Sequence, residues 1–91
     1  MKQITPNTYK RIAQLLLDDN KGNLRWEGKI DTDEGVFTAT LFFYLSHDRF
    51  NDRTVIIKDV VPIWWEFHTY DDEGDEVIND FSFAEFKLYL I

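Results

Sequence analysis

The stretch VFTATLFFYLSH, Val36 to His47, constrains the fold more than any other part of the chain. Phe37, Ala39, Leu41, Phe43 and Leu45 occupy alternate positions and are all apolar, while Val36, Thr38, Thr40, Phe42, Tyr44 and Ser46 fall between them. A period of two belongs to an extended strand, whose side chains alternate between faces; a helix repeats every 3.6 residues. One face of this strand needs a cover and the other, of mixed polarity, does not. A lone strand is not stable in water, so the flanking sequence must supply both its partners and its lid.

The partners are legible on either side. From Leu24 to Ile30, the residues Leu24, Trp26, Gly28 and Ile30 alternate with Arg25, Glu27 and Lys29, which predicts a strand with one wet face. Asp31-Thr32-Asp33-Glu34-Gly35 reads as the turn of a hairpin, with Gly35 expected to supply a positive φ. Thr54 to Tyr70 is a long extended run interrupted by Pro62. Proline has no N–H to give a ladder, so two segments are expected, about 54–61 and 63–70, bent at Pro62. Asp71-Asp72-Glu73-Gly74 is a second acidic turn, and Val77 and Ile78 are expected to form a short fourth strand pairing back on 65–69.

The lid comes from the two ends. Thr5 is placed to cap a helix that opens on Pro6, where a missing N–H costs nothing, and Ile4 and Tyr9 hold the positions of a hydrophobic staple. Tyr9, Ile12, Ala13 and Leu16 then make one apolar stripe, and Gly22 offers a left-handed end. Near the C-terminus, Ser82 and Glu85 have the spacing of a capping box, with Phe81 and Phe86 as its staple and Phe83, Phe86, Lys87 and Leu90 on one face. The expected architecture is a single α+β domain over residues 1–91. It has an antiparallel three- to four-stranded sheet, the order α-β-β-β(-β)-α, and helices packed mainly on one face.

In element order alone the chain resembles double-stranded-RNA-binding domains. Those domains place a basic patch at the start of their last helix, where this chain reads Asp80-Phe81-Ser82-Phe83-Ala84-Glu85. A-form RNA would meet acid there, so the resemblance does not carry the activity over. Charge points the same way. The chain has a net charge of −7, and the acids concentrate beyond residue 30. Such a surface repels phosphate backbones and anionic bilayers, so neither direct nucleic-acid binding nor membrane binding is expected. No uncharged stretch reaches the ~20 residues that span a bilayer, and MKQITPNTYK has no apolar leader segment. With no cysteine for disulfide or thiolate chemistry, a cytoplasmic setting is the expectation.

The candidate surface lies in IWWEFHTYDDEGDEV, Ile63 to Val77. Alternation sends Ile63, Trp65, Phe67 and Thr69 one way, toward the core, and Trp64, Glu66, His68 and Tyr70 the other. If both helices cover one sheet face, Trp64, His68 and Tyr70 join Phe42 and Tyr44 on an open one. If loops or a helix cover this second face, Trp64 is core. The expected function is a non-catalytic domain that binds another protein or a second copy of itself. Trp64 and Tyr70 would be anchors, and Glu66, Asp72 and Glu73 would set orientation and rate. An alternative is an acidic mimic of nucleic acid that inhibits a basic protein, since residues 59–91 hold nine acids against Lys87. A further alternative is a small-molecule enzyme using Glu66 and His68 as carboxylate and base; His47, Asp48 and Asp52 form a similar grouping. Neither grouping has a nucleophile at recognisable spacing, so no catalytic residue is assigned. The acidic run from Asp71 to Glu76 departs from the EF-hand pattern, two histidines without cysteine give no zinc signature, and no cofactor or metal is expected.

Overall fold

In the computed structural model, which describes residues 1–47 and 55–91, the alternating stretch lies inside a four-stranded antiparallel sheet. The elements run α1 (Pro6–Asn20), β1 (Arg25–Asp31), β2 (Val36–His47), β3 (Val55–Tyr70), β4 (Glu76–Val77) and α2 (Phe83–Lys87). Spatial order follows chain order, β1-β2-β3-β4, so every connection joins neighbours. This is the α+β architecture expected, with the fourth strand present.

Both helices lie on the face that carries Phe37, Ala39, Leu41 and Phe43, all buried. Aromatic contacts make the seam. Phe37 meets Phe81 and Phe86 at ring-centroid distances of 5.6 and 5.0 Å, and Phe67 stacks on Phe81 at 4.7 Å. From α1, Tyr9 reaches Phe81 at 5.0 Å and Phe86 at 6.4 Å, which ties the two helices together over the sheet. Each fully buried ring removes about 150–250 Å² from water, so this cluster dominates the burial that holds a chain of this size. No helix among the described residues is long and apolar enough to cross a membrane.

The caps form as the sequence predicts, with two changes. The Thr5 Oγ1 accepts the Thr8 N–H at 3.4 Å. At the other end of α1 it is Lys21, with φ 54°, that takes the left-handed position, followed by Gly22 at φ 78°. The Ser82 Oγ accepts the Glu85 N–H at 3.4 Å, but the Ser82 N–H donates to the Tyr9 hydroxyl rather than to Glu85. Half the capping box is therefore local and half is supplied by α1. The staple pair Phe81 and Phe86 sit 5.6 Å apart. Beyond Lys87 the chain tightens: the N–H groups of Leu88, Tyr89 and Leu90 donate to the carbonyls three residues back, and Leu90 is buried.

Four sequence expectations need correction. Gly35 does not have a positive φ; only Gly22 and Gly74 do among the glycines described. What requires glycine there is space. A Cβ on Gly35 would lie 2.5 Å from the His68 carbonyl oxygen and 2.8 Å from the Phe67 ring. The turn is instead held by Thr32, whose Oγ1 accepts the N–H groups of Glu34 and Gly35 at 3.2 Å each. Leu24, assigned to the apolar face of the first strand, precedes it and is exposed.

The third correction concerns Pro62. It does not split the extended run: β3 is continuous from Val55 to Tyr70, and Pro62 pairs with Leu41. Between 55 and 68, β3 has no described strand on its far side, and a proline is tolerated on such an edge. The irregularity falls one residue later. Thr40 faces Trp64 while Leu41 faces Pro62, which leaves Ile63 as an extra residue; Tyr44 faces Asp59 while Leu45 faces Ile57, which leaves Lys58 as another. Each bulge resets the alternation. Ile63 is consequently exposed rather than core, and Val60, opposite Phe43, is buried. The fourth is minor: β4 is Glu76–Val77 and pairs with Tyr70 and Thr69, not with the whole of 65–69.

Two polar links fix the hairpin and the end of β3. The Thr69 hydroxyl donates to the Val77 carbonyl at 2.7 Å. The Asn79 amide donates to the Phe67 carbonyl at 3.0 Å, while its Oδ1 accepts the Phe81 N–H at 3.0 Å. Near the other end, Lys87 Nζ donates to Asp59 at 2.9 Å. That bond, helped by the Val60 N–H, holds the Asp59 carboxyl below the usual aspartate range.

Candidate interaction face

With both helices on one side, the other side of the sheet is left to residues that alternate away from the core. The ladder aligns them. Across β1, β2 and β3, the rows read Arg25–Phe42–Val61, Glu27–Thr40–Trp64 and Lys29–Thr38–Glu66. Asp31–Val36–His68 follows, and Tyr44 faces Asp59 on the far side of the first row. Phe42 is 41% exposed, Tyr44 56%, Trp64 42% and Tyr70 48%. Thr40, on this same open face, is buried; it lies in the row between Glu27 and Trp64, where a large cross-strand neighbour shields a small residue.

The face divides into two zones. The apolar zone contains Tyr44, Phe42, Val61 and Trp64, extended by Ile56 opposite Ser46 and by the bulged Ile63. A groove of about 500 Å³, lined by Leu24, Phe42, Phe43, Tyr44 and Leu45, borders it. Sequence alternation does not single out Val61, Ile56 and Ile63, because two bulges decide which way they point and a bulge is visible only against the partner strand.

The second zone is polar. His68 Nε2 lies 2.9 Å from Glu66 Oε2, and its Nδ1 meets Glu76 Oε1. Hydrogen bonding to Glu66, then to Glu76, favours the charged imidazolium and raises the His68 pKa above its ordinary value. Glu66 and His68 are thus together, as their spacing predicts, and Glu76 is the member that sequence spacing misses. All three are solvent-accessible on a sheet face, and they line neither the groove beside Phe42 nor the cleft of about 380 Å³ between α1 and the β1–β2 turn. The grouping of Asp48, Asp52 and the His47 side chain lies outside the described residues.

Tyr70 stands past the polar zone, opposite Glu76, and leads into the acidic tip. There Asp71 organises the loop. Its Oδ1 accepts the N–H groups of Glu73 and Asp75 at 2.9 Å each, and its own N–H donates to the Asp75 carbonyl. Carboxylate oxygens of Asp71, Glu73 and Asp75 come within 4.8 Å of one another, all exposed. Asp72, paired with Glu73 in the sequence reading, is exposed and stands outside that trio.

Comparison of the chain with protein families, with curated proteins and with solved structures finds no match.

Proposed function

We propose that this domain is a non-catalytic, cytoplasmic protein-interaction module that docks a partner protein on its helix-free sheet face. Phe42, Tyr44 and Trp64 would be the apolar anchors, with Tyr70 beyond the polar zone. Glu66, His68, Asp72 and Glu73 would form a charged rim that orients the partner. The supporting observation is the placement of four aromatic side chains, each 41–56% exposed, on the one face that neither helix covers. Large aromatics normally reside inside, and clustered exposed ones mark surfaces that bury on binding. Tyr and Trp are also enriched among the few residues that dominate such interfaces, where truncating one commonly costs ≥ ~2 kcal/mol.

The test is affinity capture with the wild-type chain and with Phe42→Ala, Tyr44→Ala and Trp64→Ala, each checked for an unchanged fold. A partner held by the wild type and lost by these variants supports the proposal. A partner that all three variants retain refutes it.

The acidic tip favours a second reading, a mimic of nucleic acid directed at a basic protein, because Asp71, Glu73 and Asp75 converge beside the open face. That complex would weaken steeply as salt screens it. A complex insensitive to salt excludes the mimic and leaves the aromatic face.

A further inference from the structure

Strand β1 forms one edge of the sheet, bonded to β2 on one side and to no described strand on the other. Its register with β2 has no shift, so the direction of each backbone group follows from the bonds at its two ends. The Leu24 carbonyl accepts the Phe43 N–H at 2.7 Å, and Thr32 and Gly35 exchange both backbone bonds. In an antiparallel ladder bonded pairs alternate with unbonded ones. Trp26, Gly28 and Ile30 therefore spend their N–H and C=O groups on β2. Arg25, Glu27, Lys29 and Asp31 turn theirs outward to the free edge.

Those four residues carry alternating charge: plus, minus, plus, minus. All are exposed, and they form ion pairs within the strand, Arg25–Glu27 at 3.2 Å and Lys29–Asp31 at 3.7 Å. Charges on an edge strand ordinarily ward off a second strand. Here one register turns them into attraction. If β1 meets β1 of a second copy antiparallel, with Gly28 opposite Gly28, then Arg25 faces Asp31 and Glu27 faces Lys29, on both sides of the axis. The same register pairs the outward-facing backbone groups with one another, and it sets the unbonded, closest-approaching pair at the residue without a side chain. The neighbouring registers of the same backbone parity fail. Centred on Glu27, they set Glu27 on Glu27 and Arg25 on Lys29; centred on Lys29, they set Lys29 on Lys29 and Glu27 on Asp31.

We propose that β1 pairs with β1 of a second copy in the antiparallel register centred on Gly28, joining two four-stranded sheets into one. The twofold axis stands perpendicular to the sheet, so both helical layers fall on one side and both open faces on the other. The dimer thus presents two copies of the aromatic face side by side. The inference rests on β1 alone and holds or fails independently of what the aromatic face binds. A single edge strand makes a small interface, so the dimer is weak and reversible.

Sedimentation velocity across a concentration series tests this with charge reversals. Glu27→Lys and Lys29→Glu each set like charges opposite at two symmetric positions, and each weakens the dimer roughly tenfold. Mixed together, the two variants are complementary. At one position the changed residue of Glu27→Lys meets the changed residue of Lys29→Glu, with opposite charges. At the symmetric position the native Lys29 of the first chain meets the native Glu27 of the second. The mixture therefore dimerises under conditions where neither variant does alone. Circular dichroism confirms that each variant is folded, and Arg25→Glu with Asp31→Arg repeats the test at the outer pair. The proposal is overturned by a wild-type chain that stays monomeric at roughly millimolar concentration, where weak dimers associate. It is equally overturned by a dimer that the reversals do not weaken, or by a mixture that fails to associate. A dimer abolished by Trp64→Ala and indifferent to Lys29→Glu overturns it too, and assigns self-association to the open face instead.

Discussion

The Tyr9 hydroxyl accepts the backbone N–H of Ser82 at 2.9 Å, and in doing so one helix caps the other. The same ring packs on Phe81 and Phe86, so Tyr9 joins α1 to the start of α2 by both burial and a hydrogen bond. Tyr9→Phe keeps the ring and removes the acceptor. The expected loss is about 1 kcal/mol, from an N–H left without its partner at a half-buried position. In a reciprocal capping box the Glu85 carboxylate takes this N–H, so Glu85 is the group expected to replace the lost acceptor. Tyr9→Phe combined with Glu85→Ala is therefore expected to lose more than the two single changes added together, measured by urea unfolding.

Gly35 separates two reasons for a glycine. Its φ is unexceptional, but a Cβ would press on the His68 carbonyl at 2.5 Å. Backbone cannot swing aside as a side chain can, so Gly35→Ala should cost about 1–3 kcal/mol through overpacking. Gly74 offers the contrast: φ is 85° with open space around it, so Gly74→Ala strains only the acidic turn. A denaturation midpoint unchanged by Gly35→Ala would show that β2 and β3 do not approach as described.

His68 gives the fold a pH dependence whose sign is fixed. Hydrogen bonds to Glu66 and Glu76 raise its folded pKa above the ordinary 6.5. A raised pKa means that the folded state holds the proton more tightly. The stabilisation is complete below about 6.5 and is lost as pH rises through the folded value. The group is solvent-accessible, so the effect is small. Melting temperatures measured from about pH 6 to about pH 9 should fall for the wild type relative to His68→Gln, which lacks the titrating group. Parallel curves for the two proteins would mean that the links to Glu66 and Glu76 contribute nothing in solution.

Much of the fold is legible in the residues. Strand β2 reads directly because its alternation runs from Val36 to His47 without an inserted residue. The helix starts read well because caps and staples are local: Thr5 with Thr8, Ser82 with Glu85, Phe81 with Phe86. What resists reading is non-local. The extra residues at Lys58 and Ile63 exist only relative to β2, so the sequence pattern misassigns Ile63 and passes over Val61 and Ile56. Gly35 is recognisable as special, but its reason lies in His68, a residue on another strand. Glu76 joins His68 only because the acidic turn folds β4 back beside β3. On the open face, Trp64, Phe42 and Tyr44 are legible from parity, since Trp64 lies on the same side of the second bulge as Glu66 and His68.

The docking account depends on Trp64 being a surface anchor and not a core residue. The direct measurement pairs unfolding free energy with partner capture for Trp64→Ala. The account predicts stability within about 1 kcal/mol of wild type, as for surface substitutions, together with loss of the partner. A fall of about 3–5 kcal/mol, the cost of deleting a buried tryptophan, or a partner still held at wild-type affinity would contradict it.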